Sequence, residues 1–213
     1  MTEKIDYKFD DASKLYFTSD NHFFHDAIRG FCKRPFDSVE EMNKSMIEKW
    51  NAKVPEDGLV FHLGDFAFGG YNAWKKIREQ LNGDIILIKG NHDAKSLTST
   101  AHSLFKDVTH QLRIDVEGRR VWLNHFPLLA YSGTYRDINS YEWNLFGHVH
   151  LSNVEERNKG LDYKRCIDNL FPTQYDVGVD FNEFTPVSWY EVNEKILKQV
   201  NENNNLKMWI NND

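Results

Sequence analysis

Cysteine is scarce in this chain: Cys32 and Cys166 stand far apart, and neither belongs to a CxxC pair. That pattern excludes a disulfide framework and fits two reduced thiols in a cytoplasmic protein. No stretch approaches the ~20 consecutive apolar residues of a membrane span, so no membrane association is expected. The opening residues, MTEKIDYKFDD, are charged and lack an apolar centre, unlike a secretory signal. Basic residues are outnumbered, 26 Lys and Arg against 32 Asp and Glu, for a net charge of −6. Long nucleic acids are held by clustered cations and are therefore not expected partners. Small phosphate esters stay admissible, because bound cations would dominate the local field. Internal repeats and linkers are also missing. With 40% hydrophobic and 14% aromatic residues, the composition is not that of a disordered chain. Residues 1–213 are expected to form one domain, with about 202–213 as a polar tail that docks loosely or frays.

What is present first is an alternation of strand and helix signals. Lys14–Ser19 (KLYFTS), Gly58–Leu63 (GLVFHL) and Ile85–Ile88 read as strands. Ser38 and Glu41 have capping-box spacing, and Val39, Met42, Met46 and Trp50 recur at helical intervals, so about 39–52 is predicted to be an amphipathic helix. Asn72 is expected to cap a second helix that carries Trp74, Ile77 and Leu81 and stops at Gly83. Such strand–helix–strand repeats imply right-handed parallel crossovers in an α/β protein.

The second half differs. Val108–Val116 and Arg120–Leu123 read as strands joined by a hairpin at Glu117-Gly118, and Tyr175–Val179 as a last inner strand. Ser188 and Glu191 repeat the capping-box spacing ahead of Val192, Ile196 and Val200. About 130–143 and 152–174 lack clear periodicity, and long connections of that kind are often functional. Lys159, Lys164 and Arg165 make the second stretch basic: either a substrate-facing flap or a solvated face.

Five motifs rich in metal-ligand residue types follow the strands in order: Asp20-Asn21-His22, Gly64-Asp65, Gly90-Asn91-His92-Asp93, Asn124-His125 and Gly147-His148-Val149-His150. A parallel sheet collects its carboxyl ends along one edge, where α/β sites form. Asp20 and His22 are two apart, which in an extended segment points both side chains the same way, and His148 and His150 share that spacing. Gly64 lets the backbone turn and approach closely before Asp65. Asn91 adds a neutral carbonyl oxygen that does not repel a phosphate. Oxygen and imidazole donors gathered at one edge suit two divalent transition-metal ions: manganese is expected, with Fe, Zn, Co or Ni as alternatives and Mg disfavoured.

The series D-x-H, G-D, G-N-H-D, H, G-H-x-H resembles the calcineurin-like metallophosphoesterase family, with matches at 20–22, 64–65, 90–93, 125 and 147–150. The resemblance implies a four-layer α/β/β/α sandwich, two mixed β-sheets flanked by helices, with two metals at the strand ends. It further implies that Asp20, His22, Asp65 and His150 hold one metal. Asp65, Asn91, His125 and His148 would hold the other, with Asp65 bridging, and His92 would be the catalytic histidine that binds no metal. Two such ions clamp both sides of an in-line displacement, and a water bridging them is expected to act as a hydroxide nucleophile. His92 would bind the phosphoryl group or protonate the departing oxygen.

Around this set, Asp93 is expected either to orient the His92 imidazole or to serve as a helix-start carboxylate. His25 and Arg34 are candidates for substrate contact, Arg34 alternatively pairing with Asp37; the segment FFHDAIRGFCKRPF is similar to that of small bacterial and phage-type members. Asp180 would support a ligating histidine or sit in a solvated turn, and His62 is expected in the core or behind the site. A phosphodiesterase acting on a small nucleotide or similar diester is the expected function. The alternatives are a phosphomonoesterase or protein phosphatase, a nuclease on short oligonucleotides, and a non-catalytic scaffold. Oligomeric state is not legible.

Overall fold

A computed structural model describes residues 4–133, 142–151 and 169–202. Cys166, the basic residues at 159–165, most of the two aperiodic connections and the tail beyond 202 lie outside the described residues.

Apolar alternation along the strands sets the architecture. In one sheet β2 (Leu15–Thr18), β3 (Leu59–His62), β4 (Asp84–Ile88) and β5 (Asp107–Thr109) run parallel, with the two-residue β10 (Val187–Ser188) antiparallel beside β2. In the other, β1 (Tyr7–Phe9), β6 (Gln111–Val116), β7 (Arg119–Asn124), β8 (Trp143–Phe146) and β9 (Gln174–Asp176) lie in that order, with only β6–β7 antiparallel. Phe17, Phe61 and Ile86 face Ile114, Leu123 and Leu145 across the gap between sheets. The alternate residues Tyr16, Val60, Ile85 and Leu87 point the opposite way. They pack on α2 (Val39–Lys53) through Met42, Met46 and Trp50, and on α3 (Tyr71–Arg78) through Trp74 and Ile77. Two short helices, α1 (Asp26–Phe31) and α4 (Ser99–His102), follow the first and third motifs. The last helix, α5 (Trp189–Glu202), packs along β9, β2 and β10, burying Trp189, Val192, Ile196 and Val200. Two mixed sheets flanked by helices are thus the architecture, as the resemblance implied.

Local signals fared unevenly. Ser38 caps α2 by accepting the Glu41 N–H at 3.1 Å. Ser188 and Glu191 form a reciprocal box at the start of α5, Glu191 N–H to Ser188 Oγ and Ser188 N–H to Glu191 Oε2. The hairpin turn forms with both Glu117 (φ 50°) and Gly118 (φ 82°) left-handed, matching the twist of its strands. The cap expected at Asn72 falls instead at Gly70, with Asn72 inside α3. Val108–Val116 is not one strand. It breaks at His110 into β5 and β6, which belong to different sheets, so an apolar run that periodicity reads as continuous carries the chain from one layer to the other. β1, within the charged opening segment, pairs in parallel with β6.

The strand order brings the carboxyl ends of β2, β3, β4, β7 and β8 to one edge. Bonds between the loops lock them there: Asp20 N–H to Gly64 O at 2.9 Å, Gly147 N–H to His125 O at 2.9 Å and Val179 N–H to Ser19 O at 3.0 Å.

Candidate metal centre

The expected ligand residues converge by turning, not by extension. Asp20 (φ 59°), His22 (51°), Asp65 (57°), His148 (69°) and His150 (49°) all occupy the left-handed region. The idea that D-x-H and H-x-H point their side chains together through extended backbone is therefore replaced. A left-handed residue at each position bends the loop so that the side chains meet. Such conformations cost of order 1–3 kcal/mol per residue, and that strain concentrates at functional sites. Glycine makes the close approach possible. A Cβ on Gly147 would lie 2.1 Å from Ser19 Oγ and 2.3 Å from Asp20 Oδ2; one on Gly64 would lie 2.5 Å from the Gly90 nitrogen.

Three overlapping clusters result among the described residues, Asp20–His22–His150, Asp20–Asp65–His125 and Cys32–His150–Asp180, all buried. His22 Nε2 lies 3.9 Å from Asp20 Oδ1 and 3.5 Å from Asp65 Oδ2. His150 Nε2 is 3.6 Å from Asp20 Oδ1, and His125 Nε2 is 3.6 Å from Asp65 Oδ2. Two atoms bound at ~2.1 Å to one tetrahedral ion sit roughly 3.4 Å apart, so the spacing fits shared cations. Asp20 Oδ1 and His22 Nε2 are buried with no hydrogen-bond partner, an arrangement that is costly unless something fills it. His125 Nδ1 lies 2.7 Å from the Leu63 carbonyl, which can only accept, so Nδ1 carries a proton and Nε2 is the nitrogen turned toward the site. That Nε2 faces Asn91 Oδ1 at 2.9 Å, which brings the two expected donors of this half together. His148 completes this side, exposed at the mouth, its ring 5.1 Å from that of His125.

The electrostatics carry the same signature. Burial and the neighbouring Asp20 carboxylate push Asp65 up to about 7. Burial holds His22 well below the ordinary histidine value, with His150 and Arg34 adding to it. Burial also holds His148 down to about 4, with His125 beside it. Metal binding needs imidazole rings that carry a free lone pair, and burial keeps His22 and His148 in that state beside the crowded carboxylates.

His92 stands exposed at the rim, its ring 5.3 Å from that of His22, and its backbone N–H donates to Asp65 Oδ1 at 2.9 Å. Asp93 begins a short 3-10 turn, Asp93–Lys95, and its carboxylate turns to backbone N–H groups rather than to the His92 ring. Its Oδ2 accepts the N–H groups of Asp65 (2.9 Å) and Gly90 (2.8 Å), and its Oδ1 that of Phe66 (3.0 Å), tying two strand-end loops together. His25 is half-buried at the mouth, stacked on Phe68 at 3.8 Å with Nδ1 3.3 Å from His22 Nδ1.

Arg34 departs from expectation. Its side chain is 0% exposed. Nε and Nη2 bind the Asp180 carboxylate at 2.9 and 2.8 Å; Nη2 also reaches Asp20 O at 2.6 Å, and Nη1 reaches Asn21 O at 2.8 Å and Met42 Sδ at 3.5 Å. That uses all five N–H donors. The substrate contact expected of Arg34 and its alternative pairing with Asp37 both give way, because the 32–34 turn runs against the backbone of the Asp20–His22 loop and away from the mouth. Asp180 takes the supporting role: its Oδ2 accepts His150 Nδ1 at 2.5 Å. Burial alone would raise Asp180, yet Arg34 and His150 hold it at about 2. Burial opposes protonation of His150, but Asp20 and Asp180 outweigh it and hold that ring well above the ordinary histidine value. Cys32 Sγ lies 3.4 Å from the same His150 Nδ1. His62 is buried behind the site, Nε2 toward Asn21 Oδ1 at 2.9 Å and Nδ1 accepting the Gly64 N–H. Sequence patterns missed the Cys32 contact and the Arg34–Asp180 bond, which join residues 118 and 146 apart. No helix among the described residues is long and apolar enough to cross a membrane.

Residues 14–163 match the model of the calcineurin-like phosphoesterase superfamily domain. An uncharacterised protein of Methanocaldococcus jannaschii is 32% identical over 178 residues, covering 80% of this chain and 92% of its own length. The gene 66 protein of Mycobacterium phage L5 is 29% identical over 175 residues, covering 68% of this chain and 82% of its own. The crystal structure of a protein of unknown function from Aquifex aeolicus aligns with a TM-score of 0.61 at 23% identity, over 84% of this chain and 97% of that one; at that identity the likeness speaks for the fold alone. With more than half of its length matched by the family model, the chain belongs to the calcineurin-like phosphoesterase superfamily.

Proposed function

We propose that this protein is a dinuclear metal-dependent phosphoesterase that favours phosphodiesters, with a small nucleotide or similar diester as substrate. The observation that carries the proposal is the pair of buried, partnerless donors Asp20 Oδ1 and His22 Nε2, set among carboxylates and imidazoles at cation-binding distances. Asp20, His22 and His150 would hold one ion, Asn91, His125 and His148 the other, with Asp65 shared. When bound, divalent ions of this kind activate water and offset charge on phosphoryl oxygens; manganese suits this donor set.

The chain's own groups do the rest. His92, fixed by its backbone bond to Asp65 and free at the rim, donates a proton to the phosphoryl or departing oxygen. His25, held against Phe68, offers its remaining ring nitrogen to the phosphoryl group. Phe126, 45% exposed with its ring 4.6 Å from that of His148, gives a flat apolar surface beside the centre that suits an aromatic ester substituent such as a nucleobase. A cytoplasmic location belongs to the same proposal and rests on the spacing of the two cysteines.

The test is hydrolysis of bis-p-nitrophenyl phosphate and p-nitrophenyl phosphate with added Mn²⁺. Faster turnover of the diester, abolished by EDTA and restored by Mn²⁺, is expected. Activity that survives both EDTA and Asp65→Ala would end the two-ion reading, and preference for the monoester would end the diester assignment.

A further inference from the structure

Directly behind the expected ligand His150 lies a buried polar cluster that joins it to Asp180 and Arg34. Asp180 Oδ1 accepts Arg34 Nε at 2.9 Å; its Oδ2 accepts both Arg34 Nη2 at 2.8 Å and His150 Nδ1 at 2.5 Å. One carboxylate therefore takes three N–H donors. With Nδ1 committed to Asp180, the opposite ring nitrogen of His150 is aimed at Asp20 Oδ1, 3.6 Å away. The same guanidinium holds the carbonyls of Asp20 and Asn21 at 2.6 and 2.8 Å, so it braces the left-handed turn at Asp20 (φ 59°). Among the described residues no comparable contact links Arg34 or Asp180 to Asn91 or His125, whose supports are the Leu63 carbonyl and each other.

We infer that Arg34 and Asp180 are a positioning pair for one half of the centre: they fix the tautomer and direction of His150 and the backbone of Asp20, and so set cation affinity at the Asp20–His22–His150 half more strongly than at the Asn91–His125–His148 half, which they reach only through Asp20. The inference rests on the two-ion reading above. Carboxylates that accept the far ring N–H of a ligating histidine generally contribute about 10–100-fold in metal affinity. Here the carboxylate is itself clamped by a fork of two donors, which leaves His150 no alternative orientation. Asparagine at 180 would offer a single acceptor oxygen to three donors and set its own N–H against Arg34.

The experiment is calorimetric titration of the metal-free protein with Mn²⁺, followed by metal analysis, on wild type, Asp180→Asn, Arg34→Lys and Glu142→Gln. Glu142 is the control, because it forms a buried ion pair with Arg113 remote from the expected ligands. Thermal melts verify that each variant is folded. The expected result is two sites in wild type, one of them weakened about 10–100-fold in Asp180→Asn, a smaller loss at that site in Arg34→Lys, and both sites intact in Glu142→Gln. If Asp180→Asn does not fold, Arg34→Lys, which keeps the charge and loses the fork, must still weaken one site selectively. Two wild-type sites that stay unaltered in the Asp180 and Arg34 variants, or that weaken together to the extent seen in Glu142→Gln, overturn the inference alone. A wild-type protein that binds no Mn²⁺ overturns the two-ion reading and this inference with it.

Discussion

The backbone N–H of His92 donates to the Asp65 carboxylate at 2.9 Å, so the proposed proton donor and the proposed bridging ligand are parts of one unit. Their roles separate by substitution. His92→Ala is expected to lower kcat by roughly 10²–10⁴-fold, the range for loss of a positioned acid, with bound Mn²⁺ unchanged. Asp65→Ala is expected to lower activity further and to lose bound metal. Steady-state kinetics paired with metal analysis of the same samples checks both.

Asp93 holds the Gly64-Asp65 and Gly90-Asn91 loops together by accepting three backbone N–H groups. Asp93→Ala leaves those donors without their acceptor in the interior, and each buried orphan costs about 1–3 kcal/mol. A loss of at least about 3 kcal/mol in urea unfolding is expected, together with weaker Mn²⁺ uptake. An unchanged midpoint would show that the loops do not depend on this carboxylate.

His62 makes stability pH-dependent. Burial pulls it down to about 3 from an ordinary 6.5, so the folded protein keeps the ring neutral while the unfolded chain takes up a proton. The sign follows: this contribution is whole above pH ~6.5 and is lost as pH falls toward about 3. Between pH 7 and pH 5 the loss is about 2 kcal/mol. Urea titrations at the two pH values should show a stability difference that is about 2 kcal/mol smaller in His62→Gln than in wild type; equal differences would remove His62 as a source.

Glycines predict opposite outcomes by position. Gly147→Ala drives a methyl group into Ser19 and the Asp20 carboxylate, so a lower melting temperature and loss of Mn²⁺ binding are expected. Gly30 in α1 faces open space, and a methyl group added there would meet nothing within 4 Å. Gly30→Ala should melt at the same or a slightly higher temperature, since alanine is favoured by roughly 0.5–1 kcal/mol inside a helix.

Much of this was legible in sequence because the motifs sit where regular structure ends. Apolar runs at 15–18, 59–62 and 84–88 became parallel strands, and Asp20, Asp65 and Asn91 followed from them. Three things were hidden. The left-handed turns at Asp20, His22, His148 and His150 depend on tertiary contacts: Asp and His tolerate that conformation better than most residues, but neither type dictates it. The break at His110 separates strands of two sheets that one β pattern merges. Arg34 meets Asp180 only because the turn after α1 and the segment after β9 converge behind the Asp20 loop, a separation of 146 residues that no local pattern encodes.

Anomalous diffraction at the manganese edge, from crystals grown with Mn²⁺, tests the central claim most directly. The expected map has two peaks, one touched by Asp20, His22 and His150, the other by Asn91, His125 and His148, with the Asp65 carboxylate reaching both. A map with no peak among these residues, or with peaks that Asp65 does not touch, contradicts it.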